Sequence, residues 1–396
     1  KDAAYSPRLM SIDALRGFDM FWIVGGEDIV HALHKIKPSP AVNFITTQLT
    51  HKNWEGVAFY DLIFPLFVFI VGVSLVFSLT KTIAKEGKAS AYRRVITRGL
   101  LLYLLGLFYY GGLSQGLQHV RLLGVLQRIA LAYLFAGVLF CTFRTRGLVI
   151  SCALLLAGYW AVLAWTPIRD ISLEKQNLQR LMAQTGITNT STLFFATTNY
   201  VTGVYEEGRN LANHVDFQYL PLRKWDGAYD PEGLLSTLPA IGTCLLGVLA
   251  GLLLKSRAIT EQKKVNWLLV GGVAGVLVGF LWGLPFPVIK KLWTSSYVLV
   301  AAGFSCLFLA AFHQIIEIWH IRYWAAPFVW IGVNPLTIYV LLHNVIDLPQ
   351  MANRLVGGPI KASFGSFAEL VVALTVLALT FAFARFLYKR KIFLRL

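Results

Sequence analysis

Apolar stretches long enough to cross a bilayer recur along the whole chain, separated by mostly short polar segments. A spanning helix needs about 20 apolar residues. About ten runs reach that length, at 12–34, 61–80, 94–112, 123–143, 147–165, 233–254, 265–283, 294–313, 325–343 and 366–388. The pattern predicts an all-α polytopic membrane protein, with residues 1–396 forming a single transmembrane domain. The first and ninth runs are the most polar. The first carries Asp13, Arg16, Asp19, Glu27 and Asp28. The ninth contains Asn334-Pro335-Leu336-Thr337, where the proline should bend or break the helix. Gly-Gly pairs at 25–26, 111–112 and 271–272 read as points of close helix packing.

The placement of Lys and Arg predicts orientation. They gather in short segments: Lys1 and Arg8, the stretch 81–98, Arg144 and Arg146, the stretch 255–264, Arg322, and the stretch 385–395. The positive-inside rule puts those segments, and both termini, in the cytoplasm. The segments 35–60, 112–122, 166–232, 284–293 and 344–365 then face outward. The segment 166–232, between the fifth and sixth helices, is the one long loop. Its Thr, Asn and Gln content and scattered aromatics predict a partly ordered cap. No internal repeat is visible, so an inverted-repeat transporter gains no support.

Composition agrees with lipid as the main solvent. The 396 residues are 56% hydrophobic and only 14% charged, where a soluble domain carries about 25% charged residues. The net charge of +16 could suggest nucleic acid, but its clustering between apolar runs argues for a membrane instead. Cys141, Cys152, Cys244 and Cys306 all sit in or beside apolar runs and read as small packing residues. Lys1 opens a stretch that does not read as a cleavable signal peptide.

Ionisable groups at the mouths of membrane helices are costly unless they have partners or a task. The first such group is in His51-Lys52-Asn53-Trp54-Glu55, the polar lead-in to the second run, which also carries Asp61. A histidine there can act as general base, act as a nucleophile carrying an acyl group, or simply hydrogen-bond a loop. Next come Arg121, Gln127 and Arg128. The two arginines are seven residues apart on one helical face and could grip a carboxylate or a phosphorylated ligand. They could equally pair with Asp13, Asp19 or Asp61. In Asp230-Pro231-Glu232-Gly233, proline at a helix start and an acid in the first turn describe a helix cap. Binding of an acceptor amine or hydroxyl would be an addition to that. At 334–344, Asn334 sits at the proline break and His343 and Asn344 end the helix on the same side as His51. Broken membrane helices often line sites, and an interfacial histidine is the plainer reading. Asp13 and Arg16 are three apart and read as an intrahelical pair. No phosphate-binding loop, nucleophile elbow or metal-ligand spacing is present in the sequence.

Four stretches together are similar to a known family. Arg8-Leu9-Met10-Ser11-Ile12-Asp13-Ala14-Leu15-Arg16-Gly17, the segment from His51 to Gly72, Val120 to Ile129, and Asp230 to Leu238 resemble the heparan-alpha-glucosaminide N-acetyltransferase family. The resemblance covers about residues 8 to 390 and is that of a compact bacterial relative. It implies transfer of an acetyl group from cytoplasmic acetyl-CoA to the amine or hydroxyl of a glucosamine-type sugar on the far side. His51 would be the active histidine, as general base or acyl carrier. Asn53, Trp54, Asp61, Asp230, Glu232, His343 and Asn344 would face the acceptor. Arg121, Gln127, Arg128 and Asn334 would face the coenzyme. The resemblance further implies no metal, an inner-membrane location with His51 on the periplasmic side, a glycan acceptor, a homodimer and no nucleic-acid partner. A sugar permease, working without acyl transfer, is the rival expectation because it would share the buried charges and the broken helix.

Overall fold

The computed structural model describes residues 9–37, 39–114 and 116–393. The basic residues Lys1, Arg8 and Arg395, used above to orient the termini, lie outside the described residues. Among the described residues the only strands are Ile168–Arg169 and Tyr200–Val201, an antiparallel pair. Everything else regular is helical.

Seven described helices are long and apolar enough to cross a membrane: Phe59–Tyr109, Val125–Thr142, Thr145–Trp165, Thr237–Lys255, Glu261–Trp282, Ser295–Ile318 and Gly365–Lys389. The pair Tyr323–Gly332 and Pro335–Leu342 also qualifies when taken together, bent by 64°. Not every apolar run forms one unbroken helix. The runs 61–80 and 94–112 form two helical arms within Ile63–Tyr109, separated by a kink at Gly87 (φ 86°, ψ 173°), a conformation open to glycine. The first run is broken at Gly25 (φ 137°). Helix Met10–Phe21 passes into a π-helical segment, Trp22–Gly26, and resumes as Glu27–Ile36. The ninth run breaks at Pro335, whose ring cannot continue the preceding turn.

The helices that carry the site pack backbone to backbone. A Cβ on Gly72 would lie 2.0 Å from the Cys244 carbonyl oxygen, and one on Gly247 would lie 2.0 Å from that of Phe69. Only hydrogen fits at either point, so helices Ile63–Tyr109 and Thr237–Lys255 run in close parallel contact. Their N-terminal ends, preceded by Asp61 and by Asp230–Gly233, are thereby brought to the same end of the bundle. The main core beneath them includes Leu62, Val68, Val248, Trp293 and Tyr297, all buried.

The three Gly-Gly pairs differ in use. Gly272 packs against Gly303 and Leu307 as expected. Gly111 and Gly112 both have positive φ, at 95° and 51°, and form a turn after a helix rather than a packing contact. Gly25, with φ 137°, belongs to the π-helical break. The four cysteines are free, three of them fully buried.

The segment 166–232 is a folded unit. It contains helices Lys175–Thr185, Thr190–Ala196 and Leu211–Tyr219 beside the strand pair. Ile171, Leu173, Leu178, Leu193, Phe194 and Tyr229 form a core of its own.

Candidate functional site

The polar lead-in 51–60 cannot continue a helix into the bundle, and it turns back on Asp61. That carboxylate is fully buried, and each oxygen has work. Its Oδ2 accepts the backbone N–H of Ala58 at 3.0 Å and of Lys52 at 3.2 Å. Its Oδ1 lies 2.7 Å from His51 Nδ1 and 3.2 Å from Lys290 Nζ. The Tyr297 hydroxyl donates to the Asp61 carbonyl at 2.6 Å, which ties the start of the helix to helix Ser295–His313. The His51 side chain is 52% exposed while Asp61 is 0% exposed, so the imidazole stands at the surface on a buried carboxylate.

Lys290 completes this group. Its Nζ is 2.9 Å from His51 Nδ1 and 3.3 Å from Nε2. Burial lowers the Lys290 ammonium from the ordinary lysine value, against the raising pull of Asp61. Tyr60 packs its ring 4.7 Å from the imidazole. Trp54 donates its indole N–H to the Tyr205 carbonyl at 2.7 Å, joining the lead-in to the folded segment 166–232.

A second group forms around Asp230-Pro231-Glu232-Gly233. Arg121 Nε donates to Asp230 Oδ2 at 2.9 Å, and its Nη2 donates to Asp230 Oδ1 and Glu232 Oε2 at 2.6 Å each. The guanidinium lies between the rings of Tyr110 and Trp225, at 4.7 and 4.8 Å. Burial works against its charge, and the hydrogen bonds to Asp230 and the charge of Glu232 overcome that, so Arg121 lies above the ordinary arginine value. Burial also pushes the Glu232 carboxyl up, against the opposing pull of Arg128 and Arg121. Arg128 donates to the Pro231 carbonyl at 3.0 Å and to Ser236 Oγ. Gln127 Nε2 donates to the Arg121 carbonyl at 3.2 Å.

Behind that corner sits Asp216. It accepts the Leu234 N–H at 2.8 Å and the Asp230 N–H at 3.4 Å. Burial pushes its carboxyl up to about 7, with those backbone bonds opposing. A Cβ on Gly233 would lie 1.8 Å from Asp216 Oδ2, so the motif ends in glycine for want of any other room.

The sequence-derived residues therefore divide. His51 and Asp61 come together. Arg121, Asp230 and Glu232 come together, with Gln127 and Arg128 bracing them. The acids weighed for the arginines are elsewhere: Asp13 pairs with Arg16 at 3.4 Å, as its spacing predicted. Asp61 is taken by His51 and Lys290, and Asp19 is buried with no hydrogen-bond partner at either carboxylate oxygen. Asn334 stands apart from Arg121 and donates to the Ile392 carbonyl at 3.0 Å. Asn344 donates back along its own helix to Val340 at 3.5 Å, and Asn53 is exposed in the lead-in. The side chain of His343 lies outside the described residues. Sequence reasoning missed Lys290, Tyr297, Trp225 and Asp216. For Lys290 the available signal was a Lys-Lys pair in a short segment between two spans. For Asp216, within an otherwise ordinary loop, there was none. Among the described residues no group of three or more His, Cys, Asp or Glu side chains is placed to hold a metal ion.

Chemically, the first group offers an exposed imidazole oriented by a carboxylate, with a cation beside it. That set can accept a proton and can stabilise a developing oxyanion. Residues 8–204 match the family model described as "Heparan-alpha-glucosaminide N-acetyltransferase, catalytic". His51, Asp61 and Arg121 fall inside the match, and Asp230, Glu232 and Lys290 lie beyond it. Among curated proteins the chain is similar to heparan-alpha-glucosaminide N-acetyltransferase of Homo sapiens, 26% identical over 384 residues, covering 85% of this chain and 53% of that protein. It is likewise similar to the Mus musculus protein of that name, 26% identical over 339 residues, covering 75% of this chain and 49% of that protein. The chain thus spans about half the length of the curated relatives it matches.

Proposed function

The chain belongs to the heparan-alpha-glucosaminide N-acetyltransferase family, and from that premise we propose that it moves an acetyl group from cytoplasmic acetyl-CoA to the amine of a glucosamine-type sugar on the other side of the membrane. The observation that carries this reading is the His51–Asp61–Lys290 group, which supplies the proton acceptor and cation that acyl transfer to an amine requires.

In this reading a proton on His51 Nδ1 satisfies Asp61, 2.7 Å away, and leaves the lone pair of Nε2 free. The acceptor amine attacks the thioester carbonyl, forming a C–N bond. Nε2 takes the amine proton, the C–S bond breaks, and the imidazolium returns the proton to the departing thiolate. Lys290 Nζ, 3.3 Å from Nε2, donates to the carbonyl oxygen while it carries negative charge. Asp61 is a positioning residue, since it acts through the imidazole and the lysine. Asp230 and Glu232 form the wall of the acceptor pocket. Arg121 spends its donors on that wall and Arg128 gives Nη2 to Pro231 and Ser236 behind it, so their role toward the coenzyme is to shape the floor where the acetyl end rests.

The charged head of coenzyme A needs basic groups and water. Helix Ser295–His313 begins beside Asp61 and runs about 28 Å toward the opposite end of the bundle. The basic stretch 81–98 lies between the two apolar runs of helix Ile63–Tyr109, on the face assigned to the cytoplasm. The nucleotide rests there in this reading, with the pantetheine arm threaded between helices toward His51.

The test is purified protein with acetyl-CoA and glucosamine, following free thiol, with His51→Ala as the comparison. Thiol release that falls by about 100-fold or more in the variant is expected, the usual scale for loss of a general base. Absence of thiol release with any amino sugar overturns the reading, and uptake of sugar into vesicles without acetyl-CoA would point to a permease. Rapid-quench trapping without acceptor distinguishes direct transfer, in which no label stays on His51, from an acetyl-histidine route.

A further inference from the structure

We infer that Asp19 is a proton-binding site inside the membrane, in exchange with His51 through Glu27 and Tyr60, and that it relays the imidazolium proton to the departing thiolate. The inference rests on the acetyl-transfer reading above and supplies the route for one of its steps.

Asp19 is 0% exposed, and neither carboxylate oxygen has a hydrogen-bond partner. An ionised carboxylate left alone in such a place costs far more than a neutral one, so the group holds a proton there instead of a charge. The cation nearest along its own helix is engaged elsewhere. Arg16, one turn back, donates to Ser74 Oγ at 2.6 Å, to the Gly332 carbonyl at 3.0 Å and to Asp13 at 3.4 Å. Asp19 also stands just before the helix changes its winding at Trp22–Gly26, and π-helical insertions frequently fall at functional sites. An ionisable group kept inside a membrane bundle marks a pathway when no ion pair accounts for it.

The far end of that pathway is the imidazole. The Tyr60 hydroxyl is within hydrogen-bonding reach of Glu27 and feels the charges of Glu27, Asp28 and Asp19. Its ring lies 4.7 Å from that of His51, and Glu27 feels the charges of His51 and His31. His51, Glu27, Tyr60 and Asp19 therefore form one neighbourhood, running from an exposed imidazole to a fully buried acid. Apolar rings enclose its inner end. Trp22 meets Phe59 at 5.2 Å and Phe18 at 6.1 Å, while Phe308 meets Phe18 at 6.1 Å and Phe59 at 6.3 Å. A thiolate released beside such rings is poorly solvated, so a proton must reach sulfur as the C–S bond breaks. Sulfur takes the proton of the Asp19 carboxyl, and the Asp19 carboxylate is reprotonated from the His51 imidazolium by way of Glu27 and Tyr60. The proton taken from the amine thus ends on the thiol, and Asp19 returns to its starting form.

The experiment uses the full chain in detergent. The infrared difference between the parent and Asp19→Asn, at neutral pH and without substrates, is expected to show the C=O band of a neutral carboxyl. Asp216 and the other carboxyls contribute to both and cancel. On mixing into D2O the band shifts as its proton exchanges, and Tyr60→Phe and Glu27→Gln are each expected to slow that exchange about tenfold or more. Asp19→Asn keeps the shape and loses the acid. It is expected to lower kcat for thiol release about 100-fold with KM for acetyl-CoA little changed, and Asp19→Glu is expected to recover part of the loss. Absence of the band, exchange at the parent rate in both variants, or an unchanged kcat in Asp19→Asn overturns the relay. A fall in kcat with the band absent assigns Asp19 a packing role and overturns it equally. If the band and its slowed exchange are seen but the parent releases no thiol with any amine, the proton site stands and acetyl transfer falls.

Discussion

Replacing Arg121 by methionine tests the buried corner it forms with Asp230 and Glu232. Methionine keeps much of the stem and removes the charge. Arg121 is 3% exposed and Asp230 0%, so the substitution leaves a carboxylate buried without its cation. Breaking a buried pair in this way costs about 3–5 kcal/mol. Two smaller terms act in opposite directions. The loss of contact with the Tyr110 and Trp225 rings adds about 0.5–1 kcal/mol for each. The backbone N–H groups of Trp225 and Glu232 still reach Asp230 at 3.0 Å each and soften the loss. The net expectation stays near 4 kcal/mol, which for a chain of this size is roughly a 5 °C fall in the unfolding midpoint.

Unfolding of a membrane protein in detergent is seldom reversible, so the variants are compared at one fixed scan rate. The informative comparison adds Asp230→Asn to the methionine variant. That second change removes the stranded charge while keeping an acceptor oxygen for one of the two backbone N–H groups. The double variant is expected to recover at least half of the lost midpoint. If Arg121→Met unfolds within a degree of the parent, the buried pair is not what holds the corner. If the double variant unfolds below Arg121→Met, the cost came from lost packing and the charge argument fails.

Three further outcomes follow from the same geometry. For Asp216 the folded carboxyl sits at about 7, above an unfolded value near 3.8. Its contribution to stability is therefore present in full below pH 4 and is lost as pH rises through 7, by at most about 4 kcal/mol. The parent-minus-Asp216→Asn difference in unfolding midpoint should fall between pH 5 and 8, and a flat difference refutes the shift. Gly233→Ala forces a Cβ to 1.8 Å from Asp216 Oδ2, so it should lower the midpoint and raise KM for the acceptor, with Gly233→Ala/Asp216→Ala partly restoring both. Lys290→Met should lower kcat by about 100-fold through loss of the oxyanion cation. It should also remove the alkaline limb of the rate profile, which in the parent lies below the ordinary lysine value; a variant that keeps that limb assigns it to another group.

What the sequence displayed and what it hid follow a physical division. Local features were legible. The ten-residue interval from His51 to Asp61 marks a polar turn at a helix mouth, and the helix start at Asp230-Pro231 is written in its own residue types. The break at Pro335 and the Asp13–Arg16 pair were equally local. The partner of Arg121 was not, because Asp230 is over a hundred positions away and the two meet only once the helices pack. Membership of apolar runs drew attention to Asp13, Asp19 and Asp61 as partners, whereas the carboxylates that pair with Arg121 lie just before a span. Lys290 stood in plain view, but a lysine between two spans reads first as an orientation signal. The Gly111–Gly112 pair misled for a related reason: identical residues serve packing or turning according to a φ angle that composition does not carry.

The two groups are also less separate than their distance along the chain suggests, and Trp293 is the reason. Its backbone holds φ 52°, a left-handed conformation that costs a non-glycine residue roughly 1–2 kcal/mol. Such a conformation persists only where the surroundings over-determine it. Here the indole N–H donates to Thr243 Oγ1 at 3.0 Å, the ring lies 4.8 Å from the Arg128 guanidinium, and Phe64 and Tyr297 pack at 5.0 and 5.4 Å. Tyr297 in turn holds the Asp61 carbonyl, and Arg128 holds Pro231 and Ser236. One buried ring therefore bears on the carboxylate beside His51 and on the arginine that braces Pro231 and Ser236. Neither group can shift by much without moving Trp293 against all its contacts. The strained backbone at 293 thereby fixes the spacing between His51 and the Asp230–Glu232 corner, the spacing on which the proposed direct transfer depends.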